Sequence, residues 1–191
     1  HACVTFIDAQ IGLVLNKLKE EELWDDTIIV LTSDHGYHLG EHYLWGKVTL
    51  FEESARVPLI VRVPGMTRPK TRSPALVELV DVFPTLAGLC DLPAPKELQG
   101  HSLIDLLKKP AAGSRTSAYT VVSRGAQLGR SVRTARWRYA EWGEAREAEL
   151  YDLKNDPREI HNLAKAKGHK KTLGEMRALL AQRQKDAASA R

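Results

Sequence analysis

An acid, an imidazole and a glycine follow one another at Asp34, His35 and Gly36, just after the apolar run from Ile28 to Leu31. A carboxylate supplies hard oxygen and an imidazole borderline nitrogen, and together they suit a divalent cation. Gly36 lets the backbone turn sharply past them. Two ligands do not close a coordination sphere, so other segments must supply the rest. The stretch from Tyr37 to Lys47 adds His38, Glu41, His42, Tyr43, Trp45 and one lysine between glycines 40 and 46. Surface loops rarely need that mixture, whereas active-site loops use it.

The elements around these residues explain their placement. A short continuous apolar run such as Ile28–Leu31 predicts a strand buried on both faces, as in a parallel sheet. In open α/β sheets ligands bind beyond the carboxyl ends of strands, which is where Asp34 and His35 fall. Upstream, Ile7, Ile11, Val14, Leu15 and Leu18 recur at helical spacing, so residues 1–22 read as an amphipathic helix. Asp8 and Gln10 read as solvated helix surface, with a site-facing position as the alternative, and Asp25-Asp26 form the turn into the strand. A helix and a strand about twenty residues apart make one repeat of an α/β fold. Downstream, residues 49–56 form a short helix or turn, and Leu59–Val63 is a second strand near the first, closed by Pro64-Gly65. Arg56 reads equally as an anion contact or as a surface arginine.

The segments TSDHGYHLGEHYLWGK and RVPLIVRVPG resemble the sulfatase family of the alkaline-phosphatase-like superfamily. The Asp-His pair and the Gly-Glu-His…Trp…Lys spacing resemble the iduronate-2-sulfatase branch. The resemblance implies an α/β fold: part of an alkaline-phosphatase-like sandwich, with a mostly parallel central sheet and flanking helices, followed by a small antiparallel sheet with a helix. It implies Asp34 and His35 as ligands of one Ca²⁺, Lys47 as the sulfate contact, and Tyr37 and His42 as pocket residues. A histidine ligand also suits Mn²⁺ or Zn²⁺. The implied substrate is a sulfated carbohydrate, and the implied setting is periplasmic, secreted or lysosomal.

Composition sets outer bounds. The 191 residues suffice for a substantial core. With 43% hydrophobic and 27% charged residues, the balance is that of a globular chain. No apolar run approaches a membrane span. The net charge of +4 invites polyanions. Yet the late lysines 165, 167, 170 and 171 carry no interleaved aromatics, which argues against nucleic acid. Cys3 and Cys90 sit in apolar contexts, and the sequence leaves a disulfide between them open.

Further along, Asp81 reads as the N-cap of a helix running from Val82 to Leu89. His101 reads as a structural or solvent-exposed loop residue. Residues 110–115 have linker composition and divide the chain into an α/β part (1–115) and a small C-terminal α+β part (116–191). In the second part, residues 119–123, 130–134, 137–142 and 149–152 read as short antiparallel strands. Trp137 and Tyr139 share one face, and Arg133 reads as a structural arginine paired with a carboxylate, with a substrate contact as the alternative. Leu173, Met176, Leu179 and Leu180 mark a final amphipathic helix.

The resemblance is to the C-terminal portion of the family. Sulfatases use a formylglycine made from Cys or Ser in a Cys/Ser-x-Pro/Ala-x-Arg signature, and neither Cys3 nor Cys90 lies in one. The nucleophile, the first metal-binding acids and the rest of the site are expected on an N-terminal half upstream of His1. This chain alone is expected to be inactive. Two other readings stand beside the sulfatase one: a phosphate or phosphonate ester hydrolase of the same superfamily, and a catalytically silent carbohydrate-binding fragment.

Overall fold

Helices and sheets are mixed along the chain in two compact units. The structure is a computed structural model that describes residues 1–111, 113, 115–143 and 147–189. Unit one comprises His1–Thr32 and Leu59–Thr71, and unit two comprises Ser33–Pro58 and Arg72–Arg191.

In unit one, helix α1 (Ala2–Glu20) precedes a 3-10 turn at Trp24–Asp26 and strand β1 (Ile29–Thr32). The basic residues Lys17 and Lys19 in its last turn complement the helix dipole. β1 pairs antiparallel with β4 (Leu59–Arg62), with Val30 opposite Val61 and Leu31 opposite Ile60. The two strands are only half-buried, and Ile60 is exposed. The expectation of burial on both faces in a parallel pairing is thus not met for this pair. A two-stranded ribbon has no further strand beside it among the described residues. Arg62 locks the ribbon to the preceding turn. Its guanidinium donates to the carbonyls of Trp24 (2.6 Å) and Thr27 (3.2 Å) and to Asp25 Oδ1 (3.0 Å), and stacks over the Trp24 ring.

Unit two is built on a four-stranded antiparallel sheet. Its strands β5 (Ser117–Arg124), β6 (Gln127–Thr134), β7 (Trp137–Trp142) and β8 (Glu147–Asp152) lie in chain order. Because side chains alternate across a strand, each face is a ladder. One ladder, Tyr119–Val132–Tyr139–Leu150, faces helix α5 (Lys170–Ser189) and packs with Met176 and Leu180 into the buried core. Trp137 packs on that core too, so it and Tyr139 share a face as the period-two pattern requires. Burial, and then the hydrogen bond to Glu141, pushes the Tyr139 hydroxyl up to about 12.

The opposite ladder, Ala118–Arg133–Arg138–Tyr151, faces the segment that contains Lys47. Phe51 meets Tyr151 edge-on at 5.9 Å. Glu52 is ion-paired with Arg133 at 3.3 Å and with Arg138, so Arg133 has the carboxylate partner expected of it. These contacts explain why the compact units do not part at residue 115: residues 33–58 are tied to the C-terminal sheet. Of the linker at 110–115, residues 112 and 114 lie outside the described residues.

Helices α3 (Val82–Leu89) and α4 (Ile104–Lys108) complete unit two. Asp81 is not the side-chain cap of α3. It closes a capping box around the short 3-10 turn Leu79–Asp81 and accepts the Glu78 N–H at 2.8 Å. Its other oxygen accepts the N–H of His101 (2.8 Å) and pairs with Arg115 (2.5 Å). A buried carboxylate finds stronger partners in a guanidinium and loop amides than in the first turn of one helix. Cys3 and Cys90 are both free and exposed, so the disulfide that the sequence left open is not formed. No helix among the described residues is long and apolar enough to cross a membrane.

Candidate functional site

Asp34 and His35 begin unit two. The His35 Nδ1 stands 2.9 Å from the carbonyl of Gly36. A carbonyl only accepts, so Nδ1 carries the proton and Nε2 keeps its lone pair. That Nε2 lies 3.4 Å from Asp34 Oδ2. Two donors held about 2.4 Å from one cation at right angles stand about 3.4 Å apart. The separation thus leaves room for one divalent cation between a hard carboxylate oxygen and a borderline imidazole nitrogen. Asp34 is largely open to solvent and His35 one-third so. Among the described residues no cluster of three His, Cys, Asp or Glu side chains gathers, so the pair accounts for part of a coordination sphere.

Gly36 is required by contact. Its N–H donates to the Ser54 carbonyl at 2.9 Å, and a Cβ there would lie 1.9 Å from the carbonyl oxygen of Glu53. The backbone of helix α2 (Glu52–Ala55) thus occupies the space a side chain would need. Beyond Gly36, β2 (His38–Leu39) and β3 (Trp45–Gly46) form a minimal ribbon. Its tip is unusual in its backbone. His42 (φ 53°) and Tyr43 (φ 58°) are consecutive non-glycine residues in the left-handed region, each costing about 1–3 kcal/mol. Stacking of His42 on Phe51, 3.7 Å between centroids and nearly parallel, helps hold that conformation. Glu41 accepts the Leu39 N–H at 2.6 Å, and this bond holds its carboxyl below the usual range.

Lys47 follows the ribbon. Its carbonyl accepts from the Thr49 N–H at 2.9 Å and from the Ser54 hydroxyl. Thr49 is fixed in turn by a 2.7 Å bond between its hydroxyl and Nε2 of the buried His38. Ser54 therefore bonds both the Gly36 segment and the Lys47 segment. No pattern around Glu53-Ser54-Ala55 announces that role in the sequence. The Lys47 side chain is exposed and lines a cavity of about 220 Å³ with Leu44, Trp45, Thr49 and Arg124. His42 lines a different hollow of about 440 Å³ with Tyr43, Leu44, Phe51 and Ile160, and its Nε2 lies 3.8 Å from Glu53. Tyr37 is exposed and lines neither.

Behind the site sits a buried charge cluster that sequence reasoning missed. Arg138 is paired with Glu52 and with Glu159 at 2.5 Å. Glu159 is almost fully buried, takes φ 55°, and accepts the Glu52 N–H at 2.7 Å. Burial pushes the Glu159 carboxyl up, against the pull of Arg138.

Comparison with known proteins gives these features a context. The profile of N-sulphoglucosamine sulphohydrolase, C-terminal, matches residues 40–186. Arylsulfatase K of Gallus gallus is 35% identical over 86% of this chain and 32% of its own length. Iduronate 2-sulfatase of Mus musculus is 32% identical over 85% of the chain and 42% of its own. A protein solved in complex with its substrate D-glucosamine-2-N,6-O-disulfate superposes with a TM-score of 0.92 at 32% identity, covering 97% of this chain and 40% of that one. A phosphonate monoester hydrolase of Agrobacterium radiobacter superposes at 0.84 with 28% identity, over 94% and 39%. The chain thus spans about a third to two-fifths of the length of these relatives. With a family profile over most of its residues, the chain belongs to the sulfatase family and matches the C-terminal portion of it.

Proposed function

We propose that this chain contributes the C-terminal part of the active site of a sulfate ester hydrolase acting on a sulfated sugar. The observation that carries the reading is the paired donors Asp34 Oδ2 and His35 Nε2, 3.4 Å apart, in a segment bonded through Ser54 to that of Lys47. In this proposal Asp34 and His35 hold one Ca²⁺, which when bound polarises a sulfuryl oxygen as a Lewis acid. Lys47 places a compact positive charge where negative charge grows on the sulfuryl oxygens in the transition state. The nucleophile, a formylglycine, and the remaining metal ligands come from residues outside these 191, on an N-terminal half of the same protein. Tyr37 and His42 belong to the substrate-facing loop.

The sugar we propose is a glycosaminoglycan residue, with an iduronate-2-sulfatase-like preference as the finer reading. Similarity to iduronate 2-sulfatase and to a protein solved with a disulfated glucosamine supports sulfated carbohydrate as the class. The likeness to phosphonate monoester hydrolases supports a second reading, in which the same cation and lysine meet a phosphonate ester. The test is steady-state kinetics of the complete protein on a sulfate ester and a matched phosphonate ester. Lys47→Ala should lower kcat/KM on the sulfate ester by about 10²–10³, the range for losing one transition-state charge contact. Unchanged sulfate ester turnover in that variant would reject the assignment. Faster turnover of the phosphonate by the unaltered protein would favour the second reading.

A further inference from the structure

We propose that Arg124, beside Lys47 and the Trp45 ring, forms a subsite for a second anionic group, so that the preferred ligand is a sugar residue carrying two acidic substituents. The proposal rests on the reading of Lys47 as the contact to the first sulfate. Two cations line the cavity of about 220 Å³, and no carboxylate does. Among the described residues neither Lys47 nor Arg124 has an ion-pair partner, although most other arginines of unit two are paired to carboxylates. A doubly anionic ligand seated in the hollow would meet a cation at each of its two charges. Arg supplies a planar fork that grips sulfate or carboxylate with two parallel hydrogen bonds, where Lys supplies a point charge.

The hairpin fixes the backbone position of Arg124. Arg124 is the last paired residue of β5, opposite Gln127, across the two-residue turn Gly125-Ala126. Gly125 has φ 59°, as the first central position of a type II′ hairpin turn demands. Period-two alternation puts Arg124 on the same face of β5 as Ala118. That face is the one whose Arg133 and Arg138 hold Glu52 and the Lys47 segment. Trp45, three-quarters exposed, offers an apolar ring face against which the C–H face of a pyranose can pack.

Steady-state hydrolysis of two probes by the complete protein, glucosamine 6-O-sulfate and D-glucosamine-2-N,6-O-disulfate, tests this through kcat/KM. Arg124→Ala should lower kcat/KM on the disulfated probe about tenfold, as expected for one charge-assisted contact at an open site, and shift it on the monosulfated probe less than twofold. Arg124→Lys should recover part of the loss. Equal losses for both probes, or none for either, would overturn the subsite. Lys47→Ala separates the two levels of the argument. If it lowers kcat/KM on both probes while Arg124→Ala does not discriminate, only the subsite fails. If it lowers neither, the Lys47 reading fails and the subsite with it. Arg124 is exposed, so an unchanged melting temperature confirms that the fold is intact.

Discussion

The hydroxyl of Ser54 donates to the carbonyl of Lys47, and the carbonyl of the same serine accepts the N–H of Gly36. One side chain thereby sets the path of the chain at the candidate sulfate contact. Ser54→Ala removes the hydroxyl and leaves the backbone bond. It should cost about 1 kcal/mol of stability. Misplacement of Lys47 should lower kcat/KM of the complete protein by ten- to a hundredfold, roughly. Urea unfolding and steady-state kinetics check the two numbers separately.

Gly36 tolerates no side chain, because a Cβ would lie 1.9 Å from the Glu53 carbonyl oxygen. The obstacle is backbone and has no rotamer by which to move aside. Gly36→Ala should destabilise by about 1–3 kcal/mol, the usual cost of overpacking. Equilibrium denaturation measures this; a stability loss under a few tenths would mean that α2 shifts freely.

The metal reading predicts linkage. Ca²⁺ at a hundred times its Kd should stabilise the complete protein by about 2.7 kcal/mol. The double variant Asp34→Asn, His35→Ala should lose that increment. Thermal melting with and without a chelator, in the absence of substrate, reads the effect directly.

Glu159 is expected to matter for stability. Glu159→Ala leaves Arg138, itself nearly inaccessible, with half of its compensation and orphans the Glu52 N–H. The loss should be about 3–5 kcal/mol. Glu159→Gln keeps an acceptor for that N–H and should cost less. The two variants, compared by urea unfolding, separate the charge from the hydrogen bond.

Acid stability should depend on Asp152. The guanidinium of Arg136 grips its two oxygens at 2.9 and 2.7 Å and, with Asn155, holds the carboxyl at about 2. A carboxyl depressed in the folded state stabilises the fold above its unfolded value, near 3.8. That contribution is lost as pH falls from there toward about 2, because the unfolded chain binds the proton first. In Asp152→Asn this component of the pH dependence should vanish, flattening the curve between pH 4 and 2 in denaturation experiments.

Legibility in the sequence followed the range of the forces involved. Strand β7 reads off as residues 137–142, because alternation and an adjacent turn are local signals. β5 and β6 run further toward their hairpin than the pattern of apolar residues suggests, since Arg124 and Gln127 are placed by backbone pairing. The run Ile28–Leu31 reads correctly as a strand, but its burial depends on what lies beside it, and among the described residues that is β4 alone. Asp81 looks like a cap because the cap pattern is local, whereas Arg115 and His101, its partners, lie 34 and 20 residues away. Asp34, His35 and Lys47 stood out by residue type and spacing. Their support, Ser54 and the Glu52–Arg138–Glu159 cluster, did not, because it exists only once distant segments meet.

That cluster also sets an order of events in time. Glu52 and Glu159 are 107 residues apart in the chain. At a synthesis rate of about 5–20 residues per second, the Lys47 segment leaves the ribosome roughly 5–20 s before the residue that anchors it exists. During that interval Arg133, Arg138 and Tyr151 are already available to the segment, but a chain stopped short of Glu159 leaves Arg138 with Glu52 as its one carboxylate partner among the described residues and the Glu52 N–H without its acceptor.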